Sequence, residues 1–174
     1  MTPDQRRILH FFDRYVFDWM RSDIRTALRE RAFLLAALGL VTYTEVLGGF
    51  RTGRLREINQ SRANFEEFLA FLGRNHRELV VPGMDVRGWV RNALVHEYFT
   101  RGESGIVYRP DERLTVLFEG ARRLFNVAAY SDAFFEGARS YRDEMLDRED
   151  SPFIALFLQA LGDGAVLFRR DAAG

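Results

Sequence analysis

Five polar side chains that could do chemistry interrupt an otherwise apolar stretch over residues 85–99. They are Arg91, Asn92, His96, Glu97 and Tyr98. The stretch reads as one helix that is apolar on most of its circumference, which is typical of a buried helix. Because an unpaired buried charge is expensive, we expect these side chains to find partners or to lie at a cleft or an interface.

The spacing of these residues defines two faces of the predicted helix. At about 100° per residue, Asn92 and His96 share one face, and Arg91 and Tyr98 share another. Arg91 and His96 lie roughly 140° apart, so they cannot stack but can line the same wide cleft. A histidine exchanges a proton near neutral pH, and an arginine stabilises anionic charge on phosphorus. This pair is sufficient in principle for metal-free cleavage of RNA with the ribose 2′-hydroxyl, which DNA lacks, as the internal nucleophile.

A further candidate for the site is Glu45, which follows an uncharged run over residues 32–44. A carboxylate at the end of such a run should require an arginine or a histidine nearby. We therefore expect Glu45 to be a partner of Arg91 or His96.

The order of residues from Arg91 to Tyr98 resembles the signature of the HEPN superfamily, in which an arginine and a polar residue are followed, after three more residues, by a histidine. The tyrosine two positions after His96 is similar to the variant in HEPN-type toxins of toxin–antitoxin pairs. The resemblance covers these eight residues. It implies a mostly helical bundle that dimerises so that two copies of the motif face one cleft. Many members of the family are metal-independent endoribonucleases, and others have lost activity and serve as binding modules.

The resemblance also implies roles for the individual residues. His96 would be the acid/base group, Arg91 would bind the scissile phosphate and Asn92 would orient it. Tyr98 would line the site, and in the toxin variant this tyrosine can be nucleotidylated by a nucleotidyltransferase-type antitoxin. In the competing interpretation, the chain is a noncatalytic interaction or scaffold domain. His96 would then be a satisfied core histidine, and Glu97 would pair with Arg91 or with Arg101.

Composition excludes several other functions. All 25 basic residues are arginine, so the P-loop signature and Schiff-base chemistry are excluded, and 25 carboxylates balance the charge. A net charge of zero argues against strong nonspecific binding of nucleic acid, although transient contact with RNA stays open. Histidines at positions 10, 76 and 96 lack metal-ligand spacing, so we expect no metal or cofactor. The absence of cysteine suits the cytoplasm.

The pattern along the chain predicts one mostly helical domain over residues 1–170 and a tail over 171–174. Thr2-Pro3-Asp4-Gln5 is a capping box that opens a helix to about Arg21. A second helix is predicted over 23–47, ending at the glycine pair 48–49, and is interpreted as a buried core helix instead of a membrane span. Residues 50–60 form a basic connector, either a solvated loop or a rim that steers phosphate.

The second half of the chain changes character. Residues 64, 131 and 151 are predicted helix caps, with the last helix ending near Leu161. Three β-like runs between 106 and 128 predict a small antiparallel meander. An acidic patch over 143–150 is either a solvated helix end or a weak divalent-cation site. The expected fold class is therefore α+β, mostly α: a helical bundle with a β insertion.

Overall fold

The computed structural model describes residues 1–81, 84–88, 90 and 104–162. Helices make up most of this part of the chain. The α-helices are α1 (Pro3–Phe11), α2 (Arg21–Arg29), α3 (Phe33–Thr52), α4 (Ser61–Leu72), α5 (Val127–Leu146) and α6 (Pro152–Leu161). A π-helical segment (Phe12–Met20) joins α1 to α2, and a 3-10 segment (Arg74–Leu79) follows α4. The strands are β1 (Val80–Val81), β2 (Met84–Asp85), β3 (Ser104–Val107), β4 (Val116–Glu119) and β5 (Arg122–Asn126). The predicted fold class, α+β and mostly α, is confirmed.

The predicted capping box opens α1. The Gln5 backbone N–H donates to Thr2 Oγ1 at 3.2 Å, and the Thr2 N–H donates to Gln5 Oε1 at 3.0 Å. The Gln5 amide also donates to the Leu146 carbonyl at 2.9 Å and so satisfies an acceptor at the end of α5. One side chain therefore caps its own helix and ties the first helix of the chain to α5.

The predicted boundaries of the first two long helices are wrong. The chain stays helical through the π-helical segment to Arg29, and the turn comes at Arg31, whose φ of 57° is left-handed. Helix α3 then continues through Gly48 and Gly49 and ends at Gly53, whose φ is 74°. The basic connector therefore begins later than predicted.

Two further predicted caps are wrong. Asn64 lies within α4, where its buried side chain accepts a hydrogen bond from Thr52 Oγ1 at 3.0 Å. Ser131 lies within α5, which begins at Val127 and is capped by the Asn126 side chain. The predicted cap at Ser151, with Pro152 at the first helical position, does open the last helix.

The core lies around α3, which contacts α2, α4, α5, α6 and β3. Aromatic rings fill the space between α3, the N-terminal helix and α6. Ring centroids of Phe50 and Phe157 lie 4.6 Å apart, and those of Phe11 and Phe50 lie 4.7 Å apart. Such contacts add to the large apolar area that these rings bury. By length and composition α3 could also cross a membrane; half of its most apolar window is buried within the fold.

The small sheet departs from the predicted antiparallel meander. Its order is β3-β5-β4, with β4 antiparallel to β5 but β3 parallel to β5. The register pairs Ile106 with Phe125 and Val116 with Phe125, so Phe125 occupies the central strand and is fully buried. Asn126 closes the end of this strand, because its side-chain amide donates to the carbonyls of Arg109 and Glu112.

Candidate functional site

The predicted helix that carries the motif begins at Asp85. The structure describes five of its first six residues, from Asp85 to Val90. The backbone is helical at residues 86–88 and 90. Asp85 caps this turn, since its Oδ1 accepts from the Gly88 N–H at 2.9 Å. Val86 and Val90, four residues apart, are fully buried and therefore place one face of the turn against the core.

Arg87 lies on the same turn and fixes it to two other helices. Its Nε donates to Glu45 Oε1 of α3 at 2.8 Å, and its Nη2 donates to Ser61 Oγ of α4 at 3.0 Å. The Ser61 hydroxyl in turn donates to Glu45 Oε2 at 2.6 Å. The three side chains thus close a ring of charge-assisted hydrogen bonds, which are stronger than neutral ones. We call Glu45, Ser61 and Arg87 the brace.

The brace is largely withdrawn from solvent. The side chains of Glu45 and Arg87 are 12% and 21% exposed. Next to it, Arg62 pairs with Glu66 at 2.7 Å and approaches Asp85 at 3.9 Å, in a more exposed position. The brace therefore pairs a carboxylate with a guanidinium at low exposure and holds in place the turn that precedes the motif residues.

The structure gives Glu45 an arginine partner, as its burial required, but that partner is Arg87. The suggested contacts of Glu45 with Arg91 or His96 lie outside the described residues, as do all of Arg91, Asn92, His96, Glu97 and Tyr98. Sequence reasoning did not single out Arg87. The available signal was its position four residues before Arg91, a spacing that on the predicted helix puts the two residues on one face.

We predict that the brace contributes measurably to stability. In a double-mutant cycle of Glu45→Gln and Arg87→Met, we expect a coupling free energy of about 1–2 kcal/mol, because the pair is only partly solvated and hydrogen-bonded. The measurement is urea-induced unfolding of the four proteins.

The matched control for this cycle is the exposed pair Arg14–Asp18, whose side chains are 48% and 50% exposed. Its coupling should stay below about 0.5 kcal/mol because solvent screens it. Equal coupling at the two pairs would show that the brace is an ordinary surface contact.

A cleft of about 550 Å³ lies between the 3-10 segment and the edge of the sheet at β4. Its charged and polar lining comprises His76, Glu78, Arg109, Glu112, Arg113 and Thr115. Its volume lies in the range of small-molecule sites. Burial lowers the pKa of His76, and the Leu72 backbone opposes this effect to a smaller extent. His76 was interpreted from sequence as a surface or packing residue, and the structure shows it half-buried at this cleft.

The lowered pKa of His76 predicts a pH dependence of stability. As the pH falls below the ordinary histidine pKa of about 6.5, the unfolded chain takes up a proton before the folded one does, so the free energy of unfolding decreases. We expect His76→Gln to lose less stability than the wild type between pH 7.5 and pH 5.5, measured by urea unfolding. His10→Gln, at an exposed position, is the control and should follow the wild type.

No cluster of three or more histidine, aspartate or glutamate residues that could hold a metal ion occurs in the part of the chain that the structure describes, the acidic patch over 143–150 included. Comparison of the chain with protein-family models, curated proteins and solved structures gave no match. The candidate site therefore stands on the residues of this chain alone: the motif at 91–98 and the brace that holds the helical turn before it.

Proposed function

We propose that the protein is a metal-independent endoribonuclease of the HEPN type that cleaves single-stranded RNA. The observation that carries the proposal is the motif from Arg91 to Tyr98, placed directly after a helical turn that is fixed to the core. His96 would exchange the proton of the ribose 2′-hydroxyl, and Arg91 would stabilise the charge that develops on the phosphate. Asn92 would orient that phosphate.

The anchored turn supports this proposal through positioning. Catalytic groups need neighbours that hold them within fractions of an ångström, and rigid helices serve this need better than loops. Val86 and Val90 bury one face of the turn, and Arg87 ties another to α3 and α4. A catalytic side chain on the predicted continuation of this helix would be held in place by the same contacts.

Arg87 lies 2.8 Å from the carboxylate of Glu45 and ties the turn to α3. The motif assigns Arg91 to the substrate. Glu45 acts in this scheme as a positioning residue, through Arg87.

The experiment is an RNA cleavage assay in excess chelator with the wild type, Arg91→Ala and a matched control, Arg29→Ala. Arg29 is an exposed arginine of α2 whose side chain is 73% exposed. We expect cleavage by the wild type and by Arg29→Ala and its loss in Arg91→Ala. Equal background in all three preparations would overturn the nuclease proposal and favour the noncatalytic interaction domain. Sedimentation at the assay concentration then tests whether the protein is a homodimer, which a cleft shared by two copies of the motif requires.

A further inference from the structure

A groove between α2 and α5 brings three arginines together. Arg21 and Arg25 lie four residues apart on α2, and Arg139 lies on the facing part of α5. The groove has a volume of about 390 Å³. Among the described residues, none of these three guanidinium groups has a hydrogen bond or an ion pair with a carboxylate.

Aromatic rings hold the first of these guanidinium groups in place. The Cζ atom of Arg21 lies 5.1 Å from the ring centre of Phe17 and 4.9 Å from that of Phe135. Cation–π contacts of this kind orient a guanidinium but do not occupy its five N–H donors as oxygen acceptors would. Arg21 is therefore positioned while its donors stay open to a ligand.

The three positive charges also repel one another. Burial, followed by the charges of Arg25 and Arg139, lowers the pKa of Arg21. Asp132 and Glu136 line the same groove from α5, but neither forms an ion pair with the three arginines within the described ranges. Like charges that are held close cost stability, and a bound anion reduces that cost.

We propose that Arg21, Arg25 and Arg139 form a binding site for a phosphate group in the groove between α2 and α5. Guanidinium forks match the oxygens of phosphate, and three of them around one groove favour a group with several anionic oxygens. The phosphate could be free, or it could belong to the phosphodiester backbone of RNA. In the part of the chain that the structure describes, the lining of the groove includes no residue of the motif at 91–98, and the test of the proposed site does not depend on RNA cleavage.

The test compares two double variants that each remove two positive charges. Arg25→Gln/Arg139→Gln removes the groove cations but leaves the stacked Arg21. Arg29→Gln/Arg148→Gln removes two exposed arginines that do not line the groove and is the matched control. Each protein is titrated with inorganic phosphate at constant ionic strength, with chloride as the reference salt, and binding is followed by thermal unfolding and calorimetry. A 2′-O-methyl oligoribonucleotide, which cannot be cleaved through its 2′-oxygen, is titrated in parallel by fluorescence anisotropy.

We expect the groove variant to lose at least tenfold in affinity for phosphate, for the oligonucleotide or for both, while the control binds like the wild type. Loss for the oligonucleotide alone assigns the site to the RNA backbone, and loss for phosphate alone assigns it to a free phosphate. In chloride, the groove variant should unfold at the same temperature as the wild type or higher, because the repulsion on Arg21 is relieved. Equal affinities in both double variants, or no binding of either probe by the wild type, would overturn the proposal. RNA cleavage by Arg91 and His96 is measured separately, so the two proposals can fail independently.

Discussion

Replacing His96 with alanine is expected to lower the rate of RNA cleavage by about 10² to 10⁴-fold, the range that a positioned general acid or base contributes. The reason is that the 2′-hydroxyl must lose a proton as it attacks and the leaving 5′-oxygen must gain one. In the proposed site, the imidazole of His96 is the group suited to both transfers near neutral pH. The measurement is the single-turnover cleavage rate of a fluorescent single-stranded RNA in excess chelator.

The control for this prediction is His10→Ala, because His10 is exposed at the end of α1. Circular dichroism and thermal unfolding should show that both variants are folded. The pH–rate profile adds a readout that a purely structural role would not move: the wild-type rate should depend on ionisation near the pKa of histidine, and this dependence should disappear with His96. A His96→Ala protein that cleaves within about threefold of the wild-type rate would remove histidine catalysis from the mechanism and, with it, the reason for assigning this motif to RNA cleavage.

Helix caps show what local sequence can predict. Cap signals predicted the capping box at Thr2 and Gln5 and the opening of α6 at Ser151 and Pro152. Asp85 also caps the turn that begins at Val86, although the predicted helix over 85–99 included it. In the capping box, the signal and its partner lie within a few residues of one another, so the sequence contains the whole interaction. Ser151 occupies the N-cap position of α6 without a capping hydrogen bond from its side chain.

The partner of Glu45 shows where local reasoning ends. Burial at the end of an apolar run required a cation, and the structure provides one at 2.8 Å. The sequence offered 25 arginines. Choosing Arg87 among them required the packing of α3 and α4 against the turn that carries Arg87, which brings together residues that are 42 positions apart in the chain.

The predicted pairing of the strands in the small sheet was wrong for a related reason. Period-two patterns located the strands near 106, 116 and 124, but alternation does not specify a neighbour or a direction. The short turn at Gly120 makes β4 and β5 antiparallel, as a hairpin must be. The remaining strand, β3, joins the open side of β5 in parallel, a choice that no local turn determines.

The helix end predicted at Gly48 and Gly49 was wrong. These two glycines permit the close approach of neighbouring backbone and do not end the helix. A Cβ atom added to Gly48 would lie 1.7 Å from the backbone oxygen of Asn64 in α4. One added to Gly49 would lie 2.8 Å from the Cα atom of Leu55. Glycine in a helix costs about 1 kcal/mol relative to alanine, so its presence here is offset by the close approach it permits. From sequence alone, a glycine that ends a helix and a glycine that admits a neighbouring backbone look alike.

Replacing Gly48 with alanine is therefore expected to destabilise the protein by about 3 kcal/mol or more, at the upper end of overpacking effects. The clash is with backbone, so no side-chain rotation relieves it, and α3 and α4 must move apart. That movement would strain the brace, because Glu45 and Ser61 lie on these two helices. Gly39→Ala is the matched control in the same helix. Its added Cβ would lie 2.8 Å from the side-chain tip of Ile24 and 3.8 Å from the ring of Tyr43, with no described backbone atom outside its own helix that close, and alanine gains about 1 kcal/mol of helix propensity. In urea unfolding, the free energy of unfolding of Gly39→Ala should lie within about 1 kcal/mol of that of the wild type. If the two variants unfold at the same urea concentration, then α3 and α4 do not cross this closely, and the support proposed for the motif helix is lost with them.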